Sequence, residues 1–274
     1  MSVGVVSGAA RGMGLACARR VAGTVDTLFV VDRDAEGVED VAAELASVAS
    51  TIPVALDVTD AARVVELRDA VAAVGPLRSV VHAAGVSPTM ADWETVVGVD
   101  LVGSASVIEA VTPLVVPGTA VVCFASMAAA MGAQSADPSV DAVLDDPLAD
   151  DLLARLRDAA GELVEHPGMA YGLAKRGVVR LVQRTAVAWG PLGGRINSVS
   201  PGLIDTPMGR QEFDAQPIMS SLLDLTPLRR EGAADEVAAA VAFLLSDEAS
   251  FVTSIDVLVD GGVVAAMQAG APSA

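Results

Sequence analysis

Aromatic side chains are scarce in this chain. They make up 3% of its 274 residues, with five Phe, two Trp and a single Tyr. The core must therefore be built from small and branched aliphatic residues, which dominate the 53% apolar composition. These residues form no apolar run of the roughly 18 needed to cross a bilayer. Length and composition indicate a globular α/β protein with well-buried strands.

Cysteine is equally rare. Cys17 and Cys123 fall in apolar surroundings, which is typical of structural thiols. No group of His, Cys or Asp has metal-ligand spacing, so we predict no catalytic metal. The first residues, MSVGVVSGAARG, lack a basic region followed by a long apolar core. Together these features predict a cytoplasmic protein.

Basic residues are outnumbered by acidic ones. Seventeen Lys and Arg against 35 Asp and Glu give a net charge of −18. Such a charge repels phosphate backbones and anionic lipids, so we expect neither a nucleic-acid nor a membrane partner. A dinucleotide would have to be held by local, backbone-based phosphate binding.

Short β-type runs alternate with helical segments along the chain. The predicted strands are 3–7, 27–32, 52–58, 79–84, 119–126, 195–201 and 255–262, and the predicted helices are 12–22, 35–48, 61–73, 92–112, 171–189 and 234–246. The strands are nearly continuous in apolar residues, as expected when both faces are covered. This alternation predicts right-handed crossovers and a mostly parallel sheet.

No linker or repeat divides the chain, which predicts a single domain over residues 1–265. Residues 133–168 interrupt this alternation of strands and helices and are predicted to be a helical insertion. The part from Pro147 to Glu165 has helical spacing, and the whole segment is too long for an ordinary connection. The last residues, 266–274, are predicted to be a flexible tail.

A glycine-rich stretch, SGAARGMG, follows the first strand. Gly8, Gly12 and Gly14 would allow a tight turn and bring backbone N–H groups close to a pyrophosphate. The spacing G-x3-G-x-G differs from the commoner G-x-G-x-x-G, so an ordinary glycine turn is the alternative. The position between a strand and an apolar helix favours nucleotide binding. Ala10, Arg11 and Met13 complete this candidate loop.

Asp32 ends the second strand, where a carboxylate would accept hydrogen bonds from the adenosine ribose and repel a 2′-phosphate. This favours NAD over NADP. Arg33 and Arg11 are the counter-evidence, because either guanidinium could contact a 2′-phosphate.

Further candidates follow the third and fourth strands. Asp57 and Val58 could contact the adenine through a carboxylate and a backbone N–H. Ala83, Ala84 and Gly85 are small enough for a cofactor to lie against them. Because the ends of parallel strands share one edge of a sheet, these residues should line one cleft.

Tyr171 and Lys175 are four residues apart, so on a helix they share one face. A free phenol is a poor base near neutral pH, and a nearby ammonium lowers its pKa. Ser126, after the fifth strand, could donate a hydrogen bond to the same substrate oxygen. Tyrosine and lysine often share a helix by chance. Here the pair occurs together with a glycine loop, an aspartate and a serine, which favours proton transfer.

Six ordered motifs resemble the short-chain dehydrogenase/reductase family over almost the whole chain. They are SGAARGMG, HAAG (82–85), FASMAA (124–129), YGLAK (171–175), SPGLIDTPM (200–208) and DGG (260–262). The resemblance implies an α/β, Rossmann-type doubly wound fold, with a seven-stranded mostly parallel sheet and helices on both faces. It implies an NAD(H)-dependent oxidoreductase that interconverts a secondary alcohol and a ketone. Ser126, Tyr171, Lys175 and Asp100 would form the catalytic set, with Tyr171 and Lys175 also contacting the cofactor. Pro201, Gly202, Ile204 and Thr206 would meet the nicotinamide and pyrophosphate.

The 45-residue separation between Ser126 and Tyr171 is longer than in most members. With the sequence around Tyr171, it looks like the bacterial 3α-hydroxysteroid dehydrogenase/carbonyl reductase group. That resemblance implies an apolar substrate such as a hydroxysteroid. The apolar residues of 207–228 suit such a lining: Met208, Phe213, Ile218, Met219, Leu222 and Leu223. A solvated amphipathic helix would contain the same residues.

Two positions depart from the family pattern. Asp100 stands where an asparagine often supports a water chain to the lysine. It could hold water less well, pair with Lys175 and weaken its effect on the phenol, or act harmlessly through its backbone. His82 replaces an asparagine and is expected to be a packed ring, whereas His166 is expected to be solvated.

Other functions stay open in the sequence. One alternative is an NADPH-dependent carbonyl or 3-oxoacyl reductase, and another is a non-catalytic dinucleotide sensor. The resemblance further implies a homo-oligomer, a dimer or tetramer, that assembles through the helices near 92–112 and 171–189. The insertion 133–168 would wall the substrate pocket or alter that interface.

Overall fold

The computed structural model describes residues 1–131 and 137–270. The strands are β1 Val3–Ser7, β2 Thr27–Asp32, β3 Ser50–Ala55, β4 Leu77–His82, β5 Ala120–Phe124, β6 Arg195–Pro201, β7 Ile204–Asp205, β8 Gly232–Ala233 and β9 Asp256–Val259. Seven of them form a central sheet in which all paired strands are parallel, in the order β3-β2-β1-β4-β5-β6-β9, and β7 and β8 pair separately. The predicted Rossmann-type doubly wound sheet is confirmed, and its strand order reverses between β1 and β4.

Helices cover both faces of the sheet. They are α1 Gly12–Ala22, α2 Ala35–Leu45, α3 Ala61–Val74, α4 Trp93–Val97, α5 Ser104–Val111, α6 Met127–Met131, α7 Pro138–Leu144, α8 Leu152–Ala160, α9 Pro167–Trp189, α10 Pro207–Ala215, α11 Ile218–Leu225, α12 Ala234–Leu245 and α13 Val263–Gln268. Helices α1, α2 and α12 pack on one face, and α3, α5 and α9 on the other. The core is aliphatic, as the composition predicts.

Aspartates start several of the helices that follow strands. Asp34, Asp60 and Asp92 each accept a hydrogen bond from a backbone N–H in the first turn of α2, α3 and α4. Such caps satisfy donors that have no partner within the helix. They fix where each helix begins and therefore where the strand-to-helix turns lie.

The segment predicted as one helix over 92–112 contains a change of helical type. A π-helical turn, Gly98–Gly103, separates α4 from α5 and carries Asp100. Such turns are frequent at functional sites. Among the described residues, Trp93–Leu114 is also the one helical stretch with the length and composition to cross a membrane. Because 61% of its most apolar window is buried in the fold, it resembles a core helix of a globular protein.

The insertion folds as two helices, α7 and α8, followed by a 3₁₀ turn at Glu162–Glu165. Helix α7 lies before Pro147, outside the part for which helical spacing was predicted; residues 133–136 lie outside the described part of the chain. Val140, Val143, Leu144, Leu152 and Leu156 are buried in one apolar cluster that includes residues of α4 and α9. A short helix such as α7 has too few residues for its periodicity to stand out in sequence.

Charged pairs also hold α7 on α9. Asp141 accepts hydrogen bonds from Arg176 Nε at 2.7 Å and from Arg180 Nη1 at 3.0 Å. Asp145 pairs with Arg180 at 2.7 Å and with Arg184 at 3.2 Å. The acidic stretch is thereby neutralised locally by three arginines one turn apart on α9.

Helix α13, Val263–Gln268, extends into the segment that was predicted to be a flexible tail. Its residues Val263 and Val264 are buried against Met127, Met219 and Leu222. Residues 271–274 lie outside the described part.

Candidate active site

The predicted glycine loop lies at the carboxyl end of β1, where the strand order reverses. Gly8 and Gly12 have left-handed φ values of 70° and 58°, which favour glycine. A Cβ on Gly14 would lie 1.9 Å from the carbonyl oxygen of Gly8. The loop therefore needs glycine to fold, and it leaves room for a phosphate group to approach the backbone before α1.

The carboxylate of Asp32 is held by two backbone N–H groups. Its oxygens accept hydrogen bonds from Ala10 N–H and Asp34 N–H, each at 3.1 Å. The Ala10 N–H therefore orients Asp32, and Ala10 itself is absent from the described lining of the cavity along this edge of the sheet. Arg11 Nη1 lies 3.8 Å from Asp34 Oδ2.

An open cavity of about 300 Å³ runs along this edge of the sheet. Its lining includes the predicted residues Gly8, Arg11, Gly12, Met13, Gly14, Asp32, Asp57, Val58, Ala83, Ala84, Gly85, Tyr171, Lys175 and Thr206. Asp57 is held in place by the backbone and hydroxyl of Thr59, whose hydrogen bonds lower the pKa of this carboxyl group. A groove with a glycine loop at one end and an acid near the ribose position suits a dinucleotide.

His82 is a packed ring behind this cavity. Its Nδ1 lies 2.8 Å from Ser7 Oγ and its Nε2 lies 3.0 Å from Ser104 Oγ. Ser104 donates its own hydroxyl to the carbonyl of Asp100, so we assign the ring proton to Nε2. Burial, with a smaller contribution from Lys175, lowers the pKa of His82 to about 3. The ring is therefore neutral and is no proton carrier near pH 7.

A second cavity of about 220 Å³ adjoins the first. Tyr171, Met13, Thr206 and Met208 line both cavities, so the two meet at the phenol. Ser126 and the predicted residues Pro201, Gly202 and Ile204 line the second cavity. The Oγ of Thr206 caps α10 by accepting from Gly209 N–H at 3.0 Å.

The segment that follows Pro201 closes this second cavity with α10 and α11. Met208, Phe213, Ile218, Met219 and Leu222 line it, whereas Leu223 is absent from its described lining. Two polar residues of α10 and its C-cap were not identified from the sequence. They are Glu212 and Gln216, which also line the cavity. Their four-residue spacing on one helical face was the available signal.

Ser126, Tyr171 and Lys175 come together from β5 and α9. Ser126 lies two residues after β5, and its Oγ accepts from Ala128 N–H at 3.2 Å, which fixes the side chain at the cavity wall. His166 and Pro167 start α9, so Tyr171 lies in its second turn and Lys175 one turn later. His166 is exposed, as expected.

The environment of Tyr171 corrects one expectation. Lys175 lies 5.5 Å from the centre of the phenol ring. The pKa of Tyr171 is nevertheless raised, chiefly by burial and then by the negative charges of Asp100 and Glu212, with the Ser126 hydroxyl opposing them. The sequence argument treated the lysine as the dominant charge and could not include the two carboxylates that the fold brings near.

Asp100 pairs with Lys175. Its Oδ1 lies 3.5 Å from Lys175 Nζ and accepts a hydrogen bond from Val86 N–H at 3.0 Å. Both side chains are buried, and Lys175 also donates to the carbonyl of Phe124 at 3.3 Å. Of the three interpretations of Asp100, the geometry matches pairing with Lys175. Burial raises the pKa of Asp100 despite this cation.

The second carboxylate oxygen of Asp100, Oδ2, is buried. Within residues 1–131 and 137–270 it has no hydrogen-bond partner. Buried polar atoms without a partner are few in native proteins and are expected where function needs them. In the same described residues no three His, Cys, Asp or Glu side chains form a metal-binding group.

Comparisons with known proteins agree with this geometry. Residues 2–137 match the family model of short chain dehydrogenases, and residues 157–264 match a model described as Enoyl-(Acyl carrier protein) reductase. The D-threitol dehydrogenase of Mycolicibacterium smegmatis is 32% identical over 95% of this chain and 92% of its own. The cis-4-hydroxycyclohexanecarboxylate dehydrogenase of Sinomonas cyclohexanicum is 32% identical over 96% of each chain.

A solved structure of levodione reductase shares the fold, with a TM-score of 0.74, 29% identity and coverage of 96% of this chain and 98% of that chain. The family uses a nicotinamide dinucleotide, for which the glycine loop, Asp32 and the adjoining groove of this chain fit. The chain belongs to the short-chain dehydrogenase/reductase family and is an oxidoreductase of alcohols and ketones.

Proposed function

We propose that the protein is an NAD(H)-dependent dehydrogenase that interconverts a small secondary alcohol and its ketone. The observation that carries the proposal is the junction of the two cavities at Tyr171. A substrate oxygen held there would lie beside the phenol and Ser126, and its carbon would face the nucleotide groove.

The glycine loop and Asp32 would hold a nicotinamide dinucleotide, which would supply the hydride-transfer chemistry between the alcohol and ketone carbon. Ser126 donates a hydrogen bond to the substrate oxygen and orients it. Tyr171 takes the hydroxyl proton during oxidation and returns it during reduction. Lys175, held between Asp100 and the Phe124 carbonyl, positions a ribose hydroxyl and the proton path.

Asp32 supports NAD as the cofactor. Its carboxylate is oriented by Ala10 and Asp34 toward the groove, where it would accept from ribose hydroxyls and repel a 2′-phosphate. Arg11 lies near Asp34, and the Asp34 carboxylate partly neutralises the charge of the Arg11 guanidinium. Use of NADPH is the second candidate, because Arg11 and Arg33 both line the groove. In that case, the protein would act as a carbonyl or 3-oxoacyl reductase.

The substrate cavity supports a small molecule. Its volume of about 220 Å³ is below the roughly 300–1,000 Å³ of pockets for drug-sized ligands. The relatives named above act on a short polyol and on a hydroxylated six-membered ring. These features favour a small ring or short chain over the hydroxysteroid expected from the sequence.

The test is a screen of secondary alcohols against NAD and NADP, read as absorbance of the reduced cofactor. Cyclohexanol, small polyols and a hydroxysteroid cover the substrate classes. We expect turnover of small alcohols with NAD and slower turnover with NADP. Binding of either dinucleotide without turnover of any alcohol or ketone would instead support a sensor.

We also propose a homo-oligomer in which the insertion changes the contacts of α9. The Asp141 and Asp145 pairs place α7 over part of that helix and would limit its use as an interface. Comparing the mass in solution of the intact protein with that of a variant lacking the insertion tests this. An equal mass and equal activity would contradict it.

A further inference from the structure

The substrate cavity has polar atoms at only a few places beyond the reacting groups. Most of its wall is apolar, from residues such as Met127, Phe213 and Leu222. Glu212 and Gln216 interrupt this wall from one face of α10 and its C-cap, four positions apart. Backbone hydrogen bonds fix both positions, because Gln216 N–H donates to the Glu212 carbonyl at 2.9 Å.

Glu212 is half-buried, and its charge acts on Tyr171. Burial raises the pKa of its carboxyl group, and the Ser87 hydroxyl and the Lys175 cation oppose this effect. Its negative charge in turn raises the pKa of Tyr171, so the two groups share one environment. Ionised or neutral, Glu212 keeps a hydrogen-bond acceptor facing the cavity.

Gln216 contributes the complementary donor. Its Nε2 is buried and has no hydrogen-bond partner among the residues that the structure describes. A buried amide N–H without a partner costs free energy, and a rotation of the Gln216 side chain toward a ligand oxygen in the cavity would recover it. A donor and an acceptor therefore occur four positions apart in a mostly apolar wall, whose other polar residues beyond the reacting groups include Thr206 and Glu231.

The chemistry of this pair selects among polar groups. A hydroxyl can donate to Glu212 and accept from Gln216 with a single oxygen. An ammonium could donate to Glu212 but could accept nothing from Gln216. An anion would be repelled by Glu212, and no Lys, Arg or His is among the described residues that line this cavity.

We infer that the substrate carries a second hydroxyl, beside the one that reacts, and that Glu212 and Gln216 bind it. The inference rests on the proposed alcohol dehydrogenase function and narrows its substrate to diols and hydroxyketones. In oxidation, the reacting carbon loses a hydride to the nicotinamide and its hydroxyl loses a proton to Tyr171, while the second hydroxyl stays intact. The product is a hydroxyketone.

The experiment compares two substrates that differ by one hydroxyl, cyclohexanol and the vicinal cyclohexanediol, at one pH. The measured quantity is the ratio of kcat/KM for the diol to kcat/KM for cyclohexanol. Glu212→Met removes the acceptor at similar length, Gln216→Leu removes the donor, and Glu212→Gln restores an acceptor without the charge. Asp214→Asn on the same helix is the matched control, because it removes an equal charge from an exposed side chain.

We expect the wild-type ratio to favour the diol and to fall about 10- to 100-fold in Glu212→Met, the effect of a hydrogen bond to a charged group. Gln216→Leu should lower it as well, and Glu212→Gln should recover part of the loss. A change in the pKa of Tyr171 or in folding would affect both substrates alike and would leave the ratio unchanged.

Three results contradict the inference in distinguishable ways. A ratio that is equal in wild type, Glu212→Met and Gln216→Leu overturns the hydroxyl site while cyclohexanol turnover upholds the dehydrogenase. A ratio that falls equally in Asp214→Asn assigns the effect to charge alone. Absence of turnover of every alcohol with either dinucleotide overturns the proposed function itself.

Discussion

The nucleotide groove and the substrate cavity are built in different ways. In the groove, Asp32 and Asp57 each accept two hydrogen bonds from groups within a short stretch or a neighbouring loop. Near Tyr171, the Asp100 side chain that pairs with Lys175 buries an oxygen without a partner in the described part of the chain, and Gln216 of the substrate cavity buries such an amide nitrogen. The groove is locally satisfied before anything binds, whereas the reaction end retains polar atoms that a ligand or proton path can use.

The nucleotide groove and the reaction end also differ in how they depend on charged side chains. Backbone groups and glycines shape the groove, so phosphate binding does not depend on a basic surface in a chain of net charge −18. At the reaction end, Asp100 and Glu212 raise the pKa of the buried Tyr171 phenol, and Lys175 pairs with Asp100. Replacing a single side chain in the groove should therefore change the shape of the groove. Replacing one at the reaction end should change the proton affinity of Tyr171.

Replacing Tyr171 with Phe should give the largest difference between an effect on turnover and an effect on nucleotide binding. Turnover of the alcohol should fall about 100- to 10,000-fold, because the general acid–base group is lost. Nucleotide affinity should stay nearly unchanged, since the glycine loop and Asp32 are untouched. Initial rates and titration of NADH fluorescence measure the two effects. Substantial residual turnover would mean that another group moves the proton.

Gly14→Ala should damage the groove through shape alone. The added Cβ would lie 1.9 Å from the Gly8 carbonyl oxygen, so the loop must shift. We expect a loss of about 1–3 kcal/mol in the free energy of unfolding, as for overpacked sites, together with a higher KM for NAD. Denaturant unfolding and initial rates measure these changes.

The matched control for this change is Gly190→Ala. Its backbone is helical, and a Cβ there would meet nothing within 4 Å among the described residues. It should leave KM unchanged and alter stability little. Equal losses in both variants would show that the close contact at Gly14 is unimportant.

Asp141→Asn tests whether the insertion is held on α9 by charge. Hydrogen bonds from Arg176, then its charge and that of Arg180, lower the pKa of Asp141 although burial opposes them. Because the folded pKa is below the unfolded one, the stabilisation is present above the unfolded pKa and is lost as the pH falls through the folded pKa. At neutral pH the variant should lose about 1–2 kcal/mol in the free energy of opening α7.

Hydrogen exchange of the α7 amides is the measurement. The difference between wild type and Asp141→Asn should shrink as the pH falls. Asp150→Asn is a charge-matched control, since the Asp150 side chain is exposed and has no ion pair within residues 1–131 and 137–270. The same protection in all three proteins would show that apolar packing alone holds the insertion.

Asp100→Asn should produce the smallest and most specific effect, a shift in the pH profile of alcohol oxidation. The Asp100 carboxylate raises the pKa of Tyr171, so removal of its charge should lower that pKa. Oxidation requires Tyr171 as the base, and the rising limb of the profile should therefore move to lower pH. The pH profile of alcohol oxidation should be unchanged in the exposed Asp214→Asn control. A shift to higher pH would contradict the electrostatic role of Asp100.

Much of the fold could be predicted because its signals are local. Apolar strands, aspartate caps and the glycine loop each depend on neighbouring residues, so the parallel sheet and the groove residues Gly8, Gly14 and Asp32 follow from sequence patterns. Helix α7 and the π-helical turn at Asp100 were missed, because one is short and the other depends on hydrogen-bond geometry that periodicity does not reveal.

By itself, the sequence determined the class of chemistry: a glycine loop at a strand end and a phenol one helical turn before an ammonium, each readable from spacing alone. Only the tertiary structure decided what surrounds that phenol. Asp100 approaches from the π-helical turn, and Glu212 acts on the phenol from α10. Electrostatic effects depend on distance and burial between segments remote in sequence, and no spacing rule specifies those quantities.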